Sequence, residues 1–317
     1  MPAESAGFFI FDLINKAMLK DLLRGTGVAL VTPFDKNGAL DLKSLERLIH
    51  FVIEGGVDYI VSLGTTGETP VLSREEKLEV LQCTFSTVEA RVPVVIGAGG
   101  NDTAAVIREI EAFPMEKAAA ILSASPYYNK PSQEGIYQHY KAIASVSARP
   151  IILYNVPGRT GSNIAAETTV RLARDFANIN GIKEASGNMN QCMQILRDVS
   201  SDFMMVSGDD NLAMAQIACG MNGVISVAAN CFPKDFSMMI NSALEGNFQE
   251  ARSINTRLLR GYDLLFAENN PAGVKAFLAE LGVIENYLRL PLVPLSESVH
   301  AQVRTYMSQM HQSGLHA

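Results

Sequence analysis

Residues 27–34 read Gly-Val-Ala-Leu-Val-Thr-Pro-Phe, an apolar run suited to a buried strand and closed by Thr32-Pro33-Phe34. A strand that is apolar on both faces belongs in a parallel sheet covered by helices, and the residues beyond its end decide which kind. A doubly wound open sheet usually places a glycine fingerprint after its first strand to cradle a dinucleotide phosphate; Thr32-Pro33-Phe34 supplies none. Working outward, short runs of the same character recur at Tyr59–Leu63, Val94–Gly97, Ala119–Ser123, Ile151–Tyr154, Ile179–Lys183, Phe203–Ser207 and Gly223–Val227. With Gly27–Val31 they make eight strands, alternating with segments of helical period over about 220 residues. That alternation predicts a closed (β/α)8 barrel, an α/β TIM barrel.

The helical segments carry their own boundaries. Asp41 precedes LKSLERLIHFVIEGG, whose Gly55-Gly56 is a stop signal, and Ser73 with Glu76 has the spacing of a capping box. After about Gly246 the pattern changes to helices alone, at Phe248–Phe266, Pro271–Leu281 and Ser296–Met310. The expected organisation is an N-terminal extension (1–21), a barrel catalytic domain (22–246) and a small C-terminal helical domain (247–317). Within the extension, Gly7–Phe11 is a short apolar run without a basic leader and is interrupted by Asp12, which argues against a signal peptide. We read these residues as an extension or a misplaced start, with Met18 as the alternative first residue.

Composition narrows the function. Hydrophobic residues make up 48% and charged residues 19% of the 317, enough to bury a large core. The net charge of -7 argues against a nucleic-acid partner, which requires a basic face. No run approaches the roughly 20 apolar residues that span a bilayer, so no membrane association is expected. Four cysteines without a C-x-x-C pair and five histidines without ligand spacing predict reduced thiols, a cytoplasmic location and no metal. Asp209-Asp210 lacks a histidine or third carboxylate, and helix N-capping is its expected role.

In a barrel the chemistry sits where the strands end. Lys183 closes an apolar strand, which puts an amine inside the barrel mouth, where desolvation favours the neutral, nucleophilic form able to make a Schiff base. A structural lysine paired with Glu184 is the alternative, although strand alternation points Glu184 the other way. Gly64-Thr65-Thr66-Gly67 is either an anion-binding turn or a plain glycine turn before a helix. Tyr154 is a proton shuttle or a packed aromatic, and Arg159 a carboxylate clamp or a solvated loop residue. Tyr127-Tyr128 follows the fourth strand.

Taken together, Gly64-Thr65-Thr66-Gly67-Glu68, Pro126-Tyr127-Tyr128-Asn129, Leu153-Tyr154-Asn155-Val156-Pro157, Arg159-Thr160-Gly161 and Gly181-Ile182-Lys183-Glu184 occur in one order. From about Leu22 to near the C-terminus the chain resembles the dihydrodipicolinate synthase family, among the pyruvate-dependent class I aldolase barrels that also include N-acetylneuraminate lyase. The resemblance implies that Lys183 forms an imine with pyruvate and that the derived enamine attacks aspartate semialdehyde, on the way to diaminopimelate and lysine, with no cofactor beyond that covalent imine. It further implies a relay of Tyr154, Thr65 and Tyr128, the last donated across a subunit interface of a homotetramer built as a dimer of dimers. Thr66 would hold the pyruvate carboxylate and Arg159 that of the semialdehyde, with Gly208 and Ile225 lining the pocket. Sialic-acid lyases resemble the chain at the lysine and the strand-five tyrosine but differ at the second tyrosine and the arginine; a sugar-acid aldolase remains the alternative activity. At the site where lysine inhibits several relatives, Asn101 and Tyr127 match, whereas Arg74 and Lys77 stand where sensitive enzymes carry histidines and Ala105 replaces a carboxylate. Added positive charge there should weaken a cationic inhibitor.

Overall fold

A computed structural model describes residues 16–312, so the apolar run at 7–11 lies outside the described residues. Eight strands, β1 (Gly25–Ala29), β2 (Tyr59–Ser62), β3 (Val94–Gly97), β4 (Ala120–Ala124), β5 (Ile151–Asn155), β6 (Ile179–Glu184), β7 (Met204–Ser207) and β8 (Gly223–Ser226), pair in sequence order, and β8 returns to β1 to close a parallel barrel. Strand β1 begins and ends two residues before the predicted run. Gly25 and Thr26 pair with Gly223 and Val224 of β8. Leu30 still donates its amide to the Val61 carbonyl of β2 at 3.1 Å, and Val31 is buried past the last register pair, so apolarity alone overstates the strand's end.

The helices are α1 (Lys16–Leu22), α2 (Leu42–Glu54), α3 (Arg74–Val88), α4 (Thr103–Ala112), α5 (Gln133–Val146), α6 (Pro157–Thr160), α7 (Ala166–Asp175), α8 (Met189–Asp198), α9 (Ala213–Ala218), α10 (Pro233–Leu244), α11 (Phe248–Phe266), α12 (Ala272–Glu280) and α13 (Glu297–Gln312). Their starts follow local chemistry. Asp41 accepts the Ser44 N–H at 3.0 Å to open α2, and Ser73 with Glu76 completes both halves of the capping box at α3. No helix among the described residues is long and apolar enough to cross a membrane.

Side chains alternate along each strand and so build two cores. Outward residues such as Val28, Ile60, Ile121 and Ile182 pack beneath the helices, whereas Ala29, Val61, Val95, Ile152, Val206 and Ile225 fill the barrel. The inner core continues into the segment set apart in the sequence: α1 packs against β6 and β7, and Leu19 and Leu23, both fully buried, join the interior cluster. Truncating either leucine to alanine should cost roughly 2–5 kcal/mol through lost transfer energy and an unfilled cavity. At the C-terminal end, Phe232 meets Phe277 of α12 and Tyr306 of α13 edge to face, which fixes the last helices onto the barrel.

Candidate active site

Lys183 and Tyr154 are register partners across β6 and β5, and both side chains turn into the barrel, 4% and 7% exposed. The lysine nitrogen lies 4.5 Å from the centroid of the tyrosine ring. Glu184 points outward, as alternation requires. It is fully buried and accepts hydrogen bonds from Asn155 Nδ2 (3.1 and 3.0 Å), Gln191 Nε2 (2.9 Å) and the Ser186 amide (2.7 Å). Its acceptor capacity is thus taken up outside the barrel, and the reading of Lys183 as its structural partner falls.

Glycine at 208 leaves room for the lysine. A Cβ there would stand 3.1 Å from Lys183 Cε and 2.4 Å from the Cβ of Ala185, too close to be accommodated without a shift.

Above the lysine, Thr65–Gly67 form a single 3₁₀ turn, tied at both ends. Thr69 Oγ1 donates to the carbonyls of Leu63 and Gly64 at 2.9 Å each, and Thr32 Oγ1 donates to that of Gly67 at 2.7 Å. The amides of Thr65 and Thr66 head this turn, where no carbonyl within it can reach them, so they are available to an anion. Thr66 Oγ1 accepts from Asn270 Nδ2 at 3.0 Å. Arg159 sits on α6, its guanidinium donating to Asn269 Oδ1 and to the Asn270 carbonyl, both at 3.2 Å.

A cavity of about 100 Å³ brings together Thr65, Thr66, Tyr154, Arg159, Lys183 and Gly208. It also includes Asp209, Phe266 and Asn270, which the sequence reading did not place there. The only signal for Asn270 was the Asn269-Asn270-Pro271 turn between two helices of the C-terminal region. A larger groove of about 950 Å³, with Phe85, Arg91, Pro93 and Lys117 on its walls, opens at the opposite end of the strands. It contains none of the strand-end polar groups, which the smaller cavity gathers.

Two sequence-predicted residues are not brought to the cavity. Tyr128 is 87% exposed, with φ of 69°. Ile225 is fully buried one layer down in the barrel, and Val227, two residues further along the chain, lines the cavity instead.

The aspartates also depart from expectation. Helix α9 starts at Ala213 without a side-chain cap, so neither aspartate caps it. Asp210 instead reaches across to the β8 end, accepting from Ser226 Oγ (2.6 Å) and the Ala228 amide (2.9 Å); burial pushes its carboxyl up to about 6. Burial also raises Asp209, against the pull of the Lys183 charge. Among the described residues no group of His, Cys, Asp and Glu is arranged to hold a metal.

The dihydrodipicolinate synthetase family model matches residues 22–310. The 4-hydroxy-tetrahydrodipicolinate synthase of Azobacteroides pseudotrichonymphae is 50% identical over 287 residues, covering 90% of this chain and 97% of its own. Among solved structures, the dihydrodipicolinate synthase of Acinetobacter baumannii complexed with pyruvate superposes with a TM-score of 0.88 at 40% identity, covering 93% of this chain and 100% of its own. That of Cyanidioschyzon merolae with lysine bound does so with a TM-score of 0.88 at 38% identity, over 93% and 99%.

Proposed function

The chain belongs to the dihydrodipicolinate synthetase family and acts as a 4-hydroxy-tetrahydrodipicolinate synthase, a lyase, and from that premise we propose that Lys183 is the amine on which the reaction runs. Its nitrogen attacks the keto carbon of pyruvate, water leaves, and an imine forms. Loss of a methyl proton gives the enamine, whose carbon bonds to the aldehyde carbon of aspartate semialdehyde while the opened carbonyl oxygen takes up a proton and the imine is restored. The semialdehyde's amino group then adds to the imine carbon and displaces Lys183, closing the ring and restoring the free amine. No added cofactor enters this scheme, since the protonated imine formed on the lysine is the electron sink.

Tyr154 and Thr65 move protons in these steps, and Thr66 together with the amides of the turn holds the pyruvate carboxylate. Arg159 takes the second carboxylate, with Gly208 beside the imine. What supports this reading above all is a single juxtaposition: a buried amine facing a tyrosine in a cavity that also contains a turn with free amides and an arginine. The small cavity volume suits short-chain acids.

Tyr128 completes the relay from a second copy of the chain within a homotetramer, which accounts for a tyrosine held out from the protomer. Ile225 supports the pocket floor from below. We assign the enzyme to the cytoplasm, in keeping with its unpaired cysteines, and treat residues 22–246 and 247–317 as its catalytic and helical domains. Lysine should inhibit weakly or not at all at millimolar concentrations. The pairing of Lys77 with Glu109 offsets part of the added positive charge, so Arg74 and the missing carboxylate at Ala105 carry that expectation.

The deciding experiment is borohydride reduction in the presence of pyruvate, followed by mass spectrometry. The pyruvyl mass should appear on Lys183 alone and vanish in Lys183→Ala; modification of any other residue refutes the assignment.

A further inference from the structure

The turn bearing Thr65 and Thr66 is held from the C-terminal helical region at two points. One is the Asn270 bond to Thr66. The other lies at Glu68, the residue that ends the turn. Its amide donates to the Thr65 carbonyl at 3.2 Å, its φ is 52°, and its side chain, fully buried, forms an ion pair with Lys275 of α12 at 2.5 Å. Lys275 is also fully buried. Its Nζ donates to the Tyr287 carbonyl at 2.8 Å and lies 4.2 Å from the Phe34 ring centroid. The other carboxylate oxygen of Glu68 accepts the Arg289 amide at 3.2 Å, and the Arg289 guanidinium chelates Glu76 of α3 at 2.7 and 2.5 Å.

Two features set this pair apart from ordinary stabilisation. A buried ion pair is a poor source of stability, because desolvation of both charges offsets much of their attraction. A residue with a β-carbon is also strained at positive φ, where glycine would be free. A carboxylate at this position therefore has a use other than holding the fold together. It fixes the last residue of the turn, and through the Thr65 carbonyl the orientation of the whole turn, to a helix that also follows Asn270.

We infer that Glu68 and Lys275 are a positioning pair that sets the carboxylate-binding turn for pyruvate. This rests on the reading that Thr65 and Thr66 receive the pyruvate carboxylate. Neither residue touches substrate; both act through the turn. The sequence separates them by 207 positions, and only the docking of α12 over the barrel mouth joins them.

The test is the double variant Glu68→Gln with Lys275→Met, which leaves no unpaired buried charge, alongside Glu68→Asp, which keeps the charges but shortens the arm by one methylene. For the double variant with wild-type circular dichroism, the KM for pyruvate should rise about tenfold or more while that for the semialdehyde moves less than about threefold. Glu68→Asp should raise the pyruvate KM several-fold, and it decides the matter if the double variant does not fold. An unchanged pyruvate KM, or equal rises for both substrates, overturns the inference. Thr66→Val, measured in parallel, separates the two levels. If it leaves the pyruvate KM untouched, the reading of the turn itself fails; if it raises KM while the pair variants do not, only the positioning pair is lost.

Discussion

Tyr154 and Lys183 stand opposite each other across β5 and β6, with the amine 4.5 Å from the ring centroid. A parallel ladder that pairs these two residues in register sends both side chains to the same face, so the contact is fixed by the barrel itself rather than by a loop.

Tyr154→Phe retains the ring and its contact with the amine and removes only the hydroxyl. The fold should persist while kcat falls by roughly 10²–10⁴, the loss expected of an acid–base group. A drop smaller than about tenfold would show that the hydroxyl does not carry the proton.

Arg159→Ala should raise KM for the semialdehyde far more than for pyruvate if its guanidinium, held by Asn269 and Asn270 at the cavity, takes the second carboxylate. Equal rises would identify an arginine that serves only to hold the Asn269-Asn270 loop.

Gly208→Ala places a methyl 3.1 Å from Lys183 Cε and 2.4 Å from Ala185 Cβ. Displacing the lysine arm should slow borohydride-trapped adduct formation by at least about tenfold, since an ångström-scale misplacement of a reacting group costs up to about 10². Wild-type trapping rates would mean that the β7 end yields instead.

If Tyr128 reaches the site of a neighbouring copy, dilution or interface variants that yield monomers should lose activity together with assembly, as followed by analytical ultracentrifugation. A monomer with full kcat would remove Tyr128 from the relay.

Two buried groups give opposing pH dependence. Asp210 is raised to about 6 by burial, so its contribution to stability is complete below its unfolded value of 3.8 and is lost as pH rises through about 6. His139, lowered from 6.5 to about 4 by burial, contributes fully above 6.5 and loses that contribution as pH falls through about 4. Each displacement corresponds to about 3 kcal/mol, and between pH 4 and 6 the two nearly cancel. Asp210→Asn should unmask the histidine, so that the stability lost between pH 6.5 and pH 4, followed by urea denaturation, exceeds the wild-type loss by about 2–3 kcal/mol. An acid profile identical to the wild type would contradict this assignment.

Eight strands, the caps at Asp41 and Ser73, the inward lysine and the outward Glu184 were legible in the sequence, because alternation along a strand and capping at a helix start are local rules that need only a few neighbouring residues. The resemblance of five ordered blocks added the chemistry. The sequence could not reveal that Leu19 and Leu23 close the bottom of the barrel, that Asp210 caps a turn across the mouth rather than its own helix, or that Asn270 and Lys275 grip the Thr65–Thr66 turn from 204 and 207 positions away. Each of these depends on where distant segments dock. A polar side chain carries no mark of its eventual partner until closure of the barrel and packing of the last helices exclude water and leave it one neighbour to bond.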